Sequence, residues 1–230
     1  MTTLRSFEEL DYRKTRLGEL SLRRRMDPVA GVEVFEVKLG EAYLMSSLFT
    51  VAETELARLG LAGLDAAELD VLVGGLGLGY TARAALEHPK LRSLVVVEAL
   101  PEVIDWHKRG LVPAGAELAA DKRCRFVADD FFTQMKSAGE RYHAILLDID
   151  HSPRNLLHPA HGAFYQPEGL RHLTGRLHPG GVFALWSNDP PDEAFEKALK
   201  EVFETVKAHI VKFHNPYQNR DSSSTVYVAR

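Results

Sequence analysis

The sequence predicts an α/β fold in which helices cover both faces of a mostly parallel sheet. Apolar runs of strand length alternate with helix-forming segments from about residue 65 onward, and strands that are apolar throughout are typical of parallel sheets buried on both faces. A glycine-rich turn follows the first of these runs, and acidic residues follow the next three. A shorter region before them alternates apolar and polar residues, which predicts a small antiparallel β unit.

The composition is that of an ordinary globular protein. The chain has 230 residues, of which 45% are hydrophobic and 26% charged, enough for one α/β domain with a small appendage. The net charge of −4 gives no electrostatic case for nucleic acid or an anionic membrane as a partner. The single cysteine, Cys124, suits a reducing compartment, and neither a signal peptide nor a membrane-spanning run is recognisable. We therefore expect a cytoplasmic enzyme or binding protein.

Residues 1–50 are predicted to form the N-terminal β unit. Period-2 alternation indicates two or three antiparallel strands, at residues 20–25, 32–39 and 42–46. From Thr50 the spacing of apolar residues becomes helical. The boundary with the second domain, residues 51–230, is therefore placed there.

The second domain alternates strands and helices in chain order. The predicted strands are residues 70–73, 93–98, 125–130, 143–148 and 182–187. The predicted helices are residues 81–87, 101–108, 168–177 and 193–206. Two last strands, at 209–213 and 225–229, are joined by a polar loop and form an antiparallel C-terminal pair. The whole pattern is that of a doubly wound sheet.

The glycine-rich turn that contains Gly75, Gly77 and Gly79 is the centre of the predicted site. A ligand can approach the backbone closely at glycine, and free N–H groups point outward where the next helix begins. Glu98 lies 19 residues after Gly79, near the spacing at which an acid reaches the ribose hydroxyls of an adenosine. A carboxylate suits that task because it accepts two hydrogen bonds from a diol.

More acids follow the third and fourth strands of the second domain, where a doubly wound sheet binds its ligands. Asp129 and Asp130 follow the third strand, and Asp148 and Asp150 follow the fourth. In an extended segment Asp148 and Asp150 point the same way and can share a proton. His151 is a candidate base, because histidine titrates near neutral pH. Capping of a helix or turn by Asp129 or Asp150, and a bond from His151 to the backbone, remain open alternatives.

This order of motifs resembles the class I S-adenosylmethionine-dependent methyltransferase fold and, within it, the spermidine synthase (aminopropyltransferase) branch. The resemblance covers about residues 20–230 and includes residues 163–165 and the Pro-Gly-Gly run at 179–181. It implies a Rossmann-like methyltransferase fold with the N-terminal β unit of that branch. It also implies a transferase of polyamine biosynthesis, with S-adenosylmethionine or its decarboxylated form as co-substrate, a small acceptor such as an amine, and a homodimer.

The resemblance assigns roles to individual residues. Glu98 would bind the ribose and Asp129 the adenine amino group, and Asp148 matches the family's catalytic carboxylate. The residues predicted to bind the donor are Gly75, Gly77, Leu78, Gly79, Glu98, Ala99, Asp129, Asp130 and Thr50. The predicted catalytic residues are Asp148, Asp150 and His151.

Three residues depart from the family pattern, and two of them concern recognition of the amine. Leu78 replaces the loop aspartate that holds the amine of the aminopropyl group, His151 replaces a second acid, and Thr50 replaces a glutamine. A dication needs carboxylates to offset the desolvation of its charges. The adenosine half is therefore expected to be kept and the amine half to be rebuilt.

The predicted function is transfer of an aminopropyl or methyl group to an unidentified small acceptor. A methyltransferase proper and a non-catalytic adenosyl-binding protein remain alternatives. An NAD(P)-dependent oxidoreductase is a third, because Gly77, Gly79 and Ala82 fit the dinucleotide fingerprint. No metal is predicted, since the histidines of residues 151–161 match no familiar ligand spacing.

Overall fold

The computed structural model describes residues 7–149 and 151–230, which form two sheets. The first is a four-stranded antiparallel sheet in the order β1-β2-β3-β4, with β1 (Phe7–Thr15), β2 (Gly18–Met26), β3 (Glu33–Leu39) and β4 (Ala42–Ser46). The predicted antiparallel β unit is confirmed, but it has one strand more than expected. The sequence signal of β1 is weak because most of its residues are polar, and the strand is specified by pairing with β2, where Glu8 lies opposite Arg24.

The second sheet has seven strands in the order β10-β11-β9-β8-β5-β6-β7. Its strands are β5 (Leu69–Gly74), β6 (Leu91–Glu98), β7 (Cys124–Ala128), β8 (Tyr142–Leu147), β9 (Leu177–Ser187), β10 (Val206–Asn215) and β11 (Arg220–Ala229). Strands β5 to β9 are parallel, whereas β11 runs antiparallel to β9 and β10. This confirms the predicted α/β class, a doubly wound, mostly parallel sheet of the Rossmann-like methyltransferase type with an antiparallel C-terminal pair.

Seven α-helices lie among the described residues: α1 (Val51–Leu61), α2 (Tyr80–Leu86), α3 (Pro101–Lys108), α4 (Gly115–Ala120), α5 (Phe131–Lys136), α6 (Pro167–Thr174) and α7 (Glu193–Lys200). A 3₁₀ helix spans Pro159–Ala163. The short helices α4 and α5 were not predicted, because six residues do not reveal a helical period. No helix in this part of the chain is long and apolar enough to span a membrane.

Several predicted bounds were wrong, among them the ends of α6 and α7 and the start of β9. Helix α7 ends at Lys200 rather than near residue 206, because Thr205 already pairs with Arg230 through two backbone hydrogen bonds of 2.9 Å. Strand β9 begins at Leu177 rather than at residue 182. The Pro-Gly-Gly run, expected to lie between the predicted helix and strand, is part of that strand, and Gly180 takes a positive φ of 72° there.

The apolar core lies on both faces of the second sheet. On one face, Val71 and Val73 of β5 pack with Leu56 of α1 and Trp106 of α3; on the other, Leu72 packs with residues of α5 to α7. Leu20, Leu22 and Val37 of the first sheet join the first of these clusters. Tyr217, in the β10–β11 turn, donates a hydrogen bond to buried Asp27 and adds a second link. The division into two domains at residue 50 stays a prediction.

Candidate active site

The carboxyl ends of β5, β6, β7 and β8 meet at one edge of the second sheet. Backbone hydrogen bonds continue past the strand ends, from Gly75 N to Val97 O (2.9 Å), from Asp148 N to Gly74 O (2.8 Å) and from Asp129 N to Glu98 O (3.0 Å). β5 lies between β6 and β8, so the strand order reverses there, and ligands of such sheets bind at this switch point. The structure therefore brings the glycine turn and the acids of three strands together.

The glycine loop, residues 74–79, approaches its neighbours too closely for side chains. Gly75 has φ 94°, and a Cβ there would collide with the carbonyl oxygen of Asp148. A Cβ on Gly77 would lie 2.7 Å from the sulfur of Met45 in β4, and a Cβ on Gly79 would lie 2.7 Å from the ring of His107. Packing within the protein therefore accounts for glycine at these positions, and the predicted contacts with a donor must come from the loop backbone.

Two features hold the loop in place. The side chain of Leu78 is 3% exposed and belongs to the core, so only its backbone is available to a ligand. His107 Nε2 lies 2.9 Å from the carbonyl oxygen of Gly77, and because a carbonyl accepts, Nε2 carries the hydrogen. Burial lowers the pKa of His107 to about 4, so the ring is neutral at physiological pH. His107 thus fixes the orientation of the Gly77 peptide.

The carboxylate of Glu98 is bound to the same loop. It accepts hydrogen bonds from the backbone N–H groups of Leu76 (3.0 Å) and Leu100 (2.9 Å). Burial raises the pKa of Glu98, and these N–H groups oppose the rise. A carboxylate has further lone pairs, so Glu98 can still accept from a diol. The carbonyl of the next residue, Ala99, accepts a 3.0 Å bond from Arg16 of the β1–β2 turn.

The two acids after β7 have different environments. Asp129 is exposed, and its carboxylate accepts hydrogen bonds from Gln134 Nε2 and Asp130 N, both at 2.8 Å. The bond from Gln134, and then that from Asp130, lower the pKa of Asp129. Asp130 caps α5, because its carboxylate accepts from Thr133 N at 2.7 Å. The capping role considered for Asp129 thus belongs to its neighbour, and binding of a donor by either acid stays a prediction.

Asp148 forms a half-buried acidic pair with Glu53, which was not among the predicted site residues. Thr81 Oγ1 donates a 2.7 Å hydrogen bond to Asp148 and lies 3.2 Å from the backbone carbonyl oxygen of Glu53, in the first turn of α1. Burial raises the pKa of Asp148 to about 6. Burial, and then the charge of Asp148, raise the pKa of Glu53 to about 8. At neutral pH the pair keeps about one proton and attracts cations.

A signal for Glu53 was present in the sequence. Leu56, Ala57 and Gly60 are buried on one face of α1, and Glu53 lies on that face at the i, i+3, i+4, i+7 spacing. An acid on the apolar stripe of a helix is unusual, because burial of its charge costs free energy unless a partner is present. That position distinguishes Glu53 from Glu55, whose carboxylate pairs with Arg58 at 3.1 Å.

The remaining predicted site residues are Asp150, His151 and Thr50. Asp150 lies outside the described residues. His151 is half-buried, and its carbonyl oxygen accepts a 2.7 Å bond from Asn188 N, at the end of β9. Thr50 is the residue before α1, and its carbonyl accepts from Thr54 N at 3.2 Å. Catalytic or binding roles for these three residues stay predictions.

The loop after β8 is held against the loop that follows β9. Ser152 donates a 2.6 Å bond to Asp189, and Arg154 binds both carboxylate oxygens of Asp192 at 2.6 Å. Of its histidines, His161 stacks on Phe132 with ring centroids 3.9 Å apart. These contacts hold Ser152, Arg154 and His161 in place against neighbouring elements.

A group of possible metal ligands in the described part of the chain lies elsewhere. Asp70, His143 and His178 place one ligand atom each within 4.8 Å of one another, near the starts of β5, β8 and β9. Asp70 already accepts hydrogen bonds from Arg92 (2.9 Å) and Ser93 (2.6 Å), and His143 Nδ1 accepts from Asp70 N. Ordinary polar contacts explain this group.

Comparisons with known proteins agree on one family. Residues 54–216 match the family model of the spermine/spermidine synthase domain. Over 150 residues, 61% of this chain, the sequence is 29% identical to polyamine aminopropyltransferase 2 of Pseudomonas aeruginosa and 30% identical to the polyamine aminopropyltransferase of Sulfolobus acidocaldarius. These matches cover 41% and 47% of the two relatives, so the chain matches less than half of each. The fold is similar to the crystal structure of spermidine synthase from Thermotoga maritima, with a TM-score of 0.73, 17% identity, and coverage of 96% of this chain and 72% of that one.

Proposed function

The chain belongs to the spermine/spermidine synthase family, and from this premise we propose that it transfers an aminopropyl group from decarboxylated S-adenosylmethionine to a small amine. The observation that supports the proposal most is the position of the half-buried Asp148 carboxylate. It lies beside the glycine loop, at the sheet edge that also presents Glu98. One edge therefore combines groups suited to an adenosine with an acid suited to an amine.

The adenosyl half of the donor suits Glu98 and the loop. The Glu98 carboxylate is held by Leu76 N and Leu100 N, and its other lone pairs are available to the ribose hydroxyls. His107 and the buried side chain of Leu78 keep the loop backbone fixed, so little order has to be created when a ligand binds. Asp129, one strand away, is the group proposed to accept from the adenine amino group.

In the reaction, the lone pair of an unprotonated amine attacks the propyl carbon next to the sulfonium sulfur. A nitrogen–carbon bond forms, the carbon–sulfur bond breaks, and its electron pair stays on sulfur, so that neutral methylthioadenosine leaves. The new ammonium then loses a proton to Asp148. A carboxylate whose pKa is raised to about 6 suits this step, because it accepts a proton more readily than an ordinary aspartate and releases it near neutral pH.

Thermal-shift binding tests the donor assignment. The ligands are S-adenosylmethionine, decarboxylated S-adenosylmethionine, methylthioadenosine and NAD. We expect stabilisation by methylthioadenosine and a larger one by decarboxylated S-adenosylmethionine, with both lost in Glu98→Ala. If none of the three adenosyl sulfur compounds stabilises the protein, the donor assignment is wrong. Preference for S-adenosylmethionine itself, with formation of S-adenosylhomocysteine, would replace aminopropyl transfer by methyl transfer.

We also propose a homodimer formed through the N-terminal sheet. Phe7, Tyr12 and Tyr43 of this sheet are 52%, 44% and 58% exposed, which is unusual for aromatic side chains and is consistent with an interface. Light scattering after size exclusion should give twice the chain mass of 25.7 kDa. A mass of one chain at micromolar concentration would contradict the dimer without affecting the site.

A further inference from the structure

We propose that Glu53 is a specificity-determining residue, which binds the ammonium group at the end of the donor's propyl chain. The inference rests on the proposed function, because it assigns part of the same site. It follows from where Glu53 lies, from the lack of charge in the glycine loop and from the absence of a cationic partner in the described residues.

Glu53 lies beside the part of the site where the sulfonium arm of a donor would extend. Thr81, in the first turn of the helix that follows the glycine loop, lies 3.2 Å from the Glu53 carbonyl oxygen and 2.7 Å from Asp148 Oδ2. The hydroxyl therefore ties the first turn of α1 to the end of β8, across the start of α2. The adenosine-binding Glu98 lies on the other side of β5, at the end of β6.

The loop itself offers no negative charge to an amine. Leu76 and Leu78 are 5% and 3% exposed, and both side chains belong to the core. Over residues 7–149 and 151–230, no ion pair joins Glu53 or Asp148 to a lysine, arginine or histidine. Arg83, on α2, lies over the ring of Tyr80, 5.0 Å from its centroid, and forms no ion pair with either acid among the described residues. The acidic pair therefore lacks a counter-ion that a cationic ligand would supply.

Within residues 7–149 and 151–230, the titratable groups that interact with Glu53 are Asp148, from the end of β8, and Tyr80, from α2. Two carboxylates in a desolvated site keep a proton between them until a cation arrives. Binding of the ammonium group should expel that proton and leave Asp148 ionised, which is the form required of a base. Binding of the donor would thereby leave Asp148 ready to accept a proton from the acceptor amine.

The same arrangement discriminates between donors. S-adenosylmethionine carries a carboxylate next to its ammonium group, and this would approach Glu53 and Asp148 with the same sign of charge. The decarboxylated compound carries the ammonium group alone. Repulsion of the wrong ligand is a common source of specificity, and here it would favour the decarboxylated donor.

Calorimetric binding to Glu53→Gln tests the inference, with Glu55→Gln as the matched control. Glu55 lies two residues further along α1, where it pairs with Arg58, and its replacement removes the same charge. We expect the dissociation constant of decarboxylated S-adenosylmethionine to rise on the order of 10- to 100-fold in Glu53→Gln, as for other charge-assisted contacts. Affinity for methylthioadenosine, which lacks the ammonium group, should stay the same, and Glu55→Gln should bind both like the wild type.

A measurement on the wild type is independent of how the variant folds. Binding enthalpies at pH 7 in two buffers of different ionisation enthalpy should reveal release of about one proton with decarboxylated S-adenosylmethionine and none with methylthioadenosine. Unchanged affinity in Glu53→Gln, an equal loss of methylthioadenosine affinity, or no proton release would each overturn the role of Glu53. A wild type that binds no adenosyl sulfur compound would instead refute the proposed function.

Discussion

Thr81 donates a hydrogen bond of 2.7 Å to the carboxylate of Asp148 and so joins the start of α2 to the end of β8. The bond opposes the effect of burial, since it stabilises the ionised carboxylate and lowers a pKa that burial raises to about 6. Thr81 is itself buried, so its hydroxyl has little access to water. The Thr81 hydrogen bond therefore favours the ionised form of Asp148.

Replacement of Thr81 by valine should raise the pKa of Asp148, because valine keeps the shape of the side chain and removes the donor. If Asp148 accepts a proton in the reaction, the acid limb of the pH–kcat profile should move upward by about one pH unit. The profile of Thr81→Ser should match that of the wild type, since serine keeps the hydroxyl. An acid limb that is the same in the valine variant would show that another group controls it.

The free energy of unfolding without ligand should depend on pH through Glu53. Its pKa rises from 4.5 to about 8 on folding, so the native state binds the proton more tightly, and stability is lost as the pH rises through this range. Glu53→Gln should remove much of the decline and be more stable than the wild type at pH 8, by about 1 kcal/mol. Chemical denaturation between pH 6.5 and 8 measures the difference, and Glu55→Gln should decline like the wild type. A variant less stable than the wild type would point to a structural role for Glu53.

His107 should have the opposite pH dependence. Its pKa falls from 6.5 to about 4 on folding, so the unfolded chain binds more protons in this range and stability is lost as the pH falls. His107→Leu should remove this loss but destabilise the protein at pH 7 by about 1–3 kcal/mol, because the buried Gly77 carbonyl loses its donor. Denaturation at pH 5 and pH 7 tests both effects. Equal losses for wild type and variant at the lower pH would contradict them.

Much of the second sheet could be predicted because its strands are continuous apolar runs, and helix α3 begins and ends at the predicted residues. Strand β1 could not be predicted, because it forms by pairing with β2 and has no apolar pattern of its own. Helices α4 and α5 are too short to reveal a period. The local sequence pattern therefore predicts strands that are buried on both faces of the sheet. It does not predict elements that are short or that form only by pairing with a neighbouring strand.

Glu98 and Asp148 could be predicted as site residues because each is an acid at the carboxyl end of a parallel strand. Sequence could not decide which of Asp129 and Asp130 caps the next helix, because either lies close enough to α5. It also missed Glu53, which lies far from the other acids in the chain and comes close to Asp148 because α1 packs against α2 and β8. Glu53 and Glu55 lie on different faces of α1. In the folded protein Glu53 interacts with Asp148, whereas Glu55 pairs with Arg58.

Release of methylthioadenosine from decarboxylated S-adenosylmethionine, with putrescine and other small amines as acceptors, is the most direct measurement of the proposed reaction. Mass spectrometry should detect methylthioadenosine and the aminopropylated amine in equal amounts. Asp148→Asn should lower kcat by about 10²- to 10⁴-fold, as for loss of a general base, and should still bind methylthioadenosine. Absence of both products with every acceptor, or an Asp148→Asn variant as active as the wild type, would contradict aminopropyl transfer at this site.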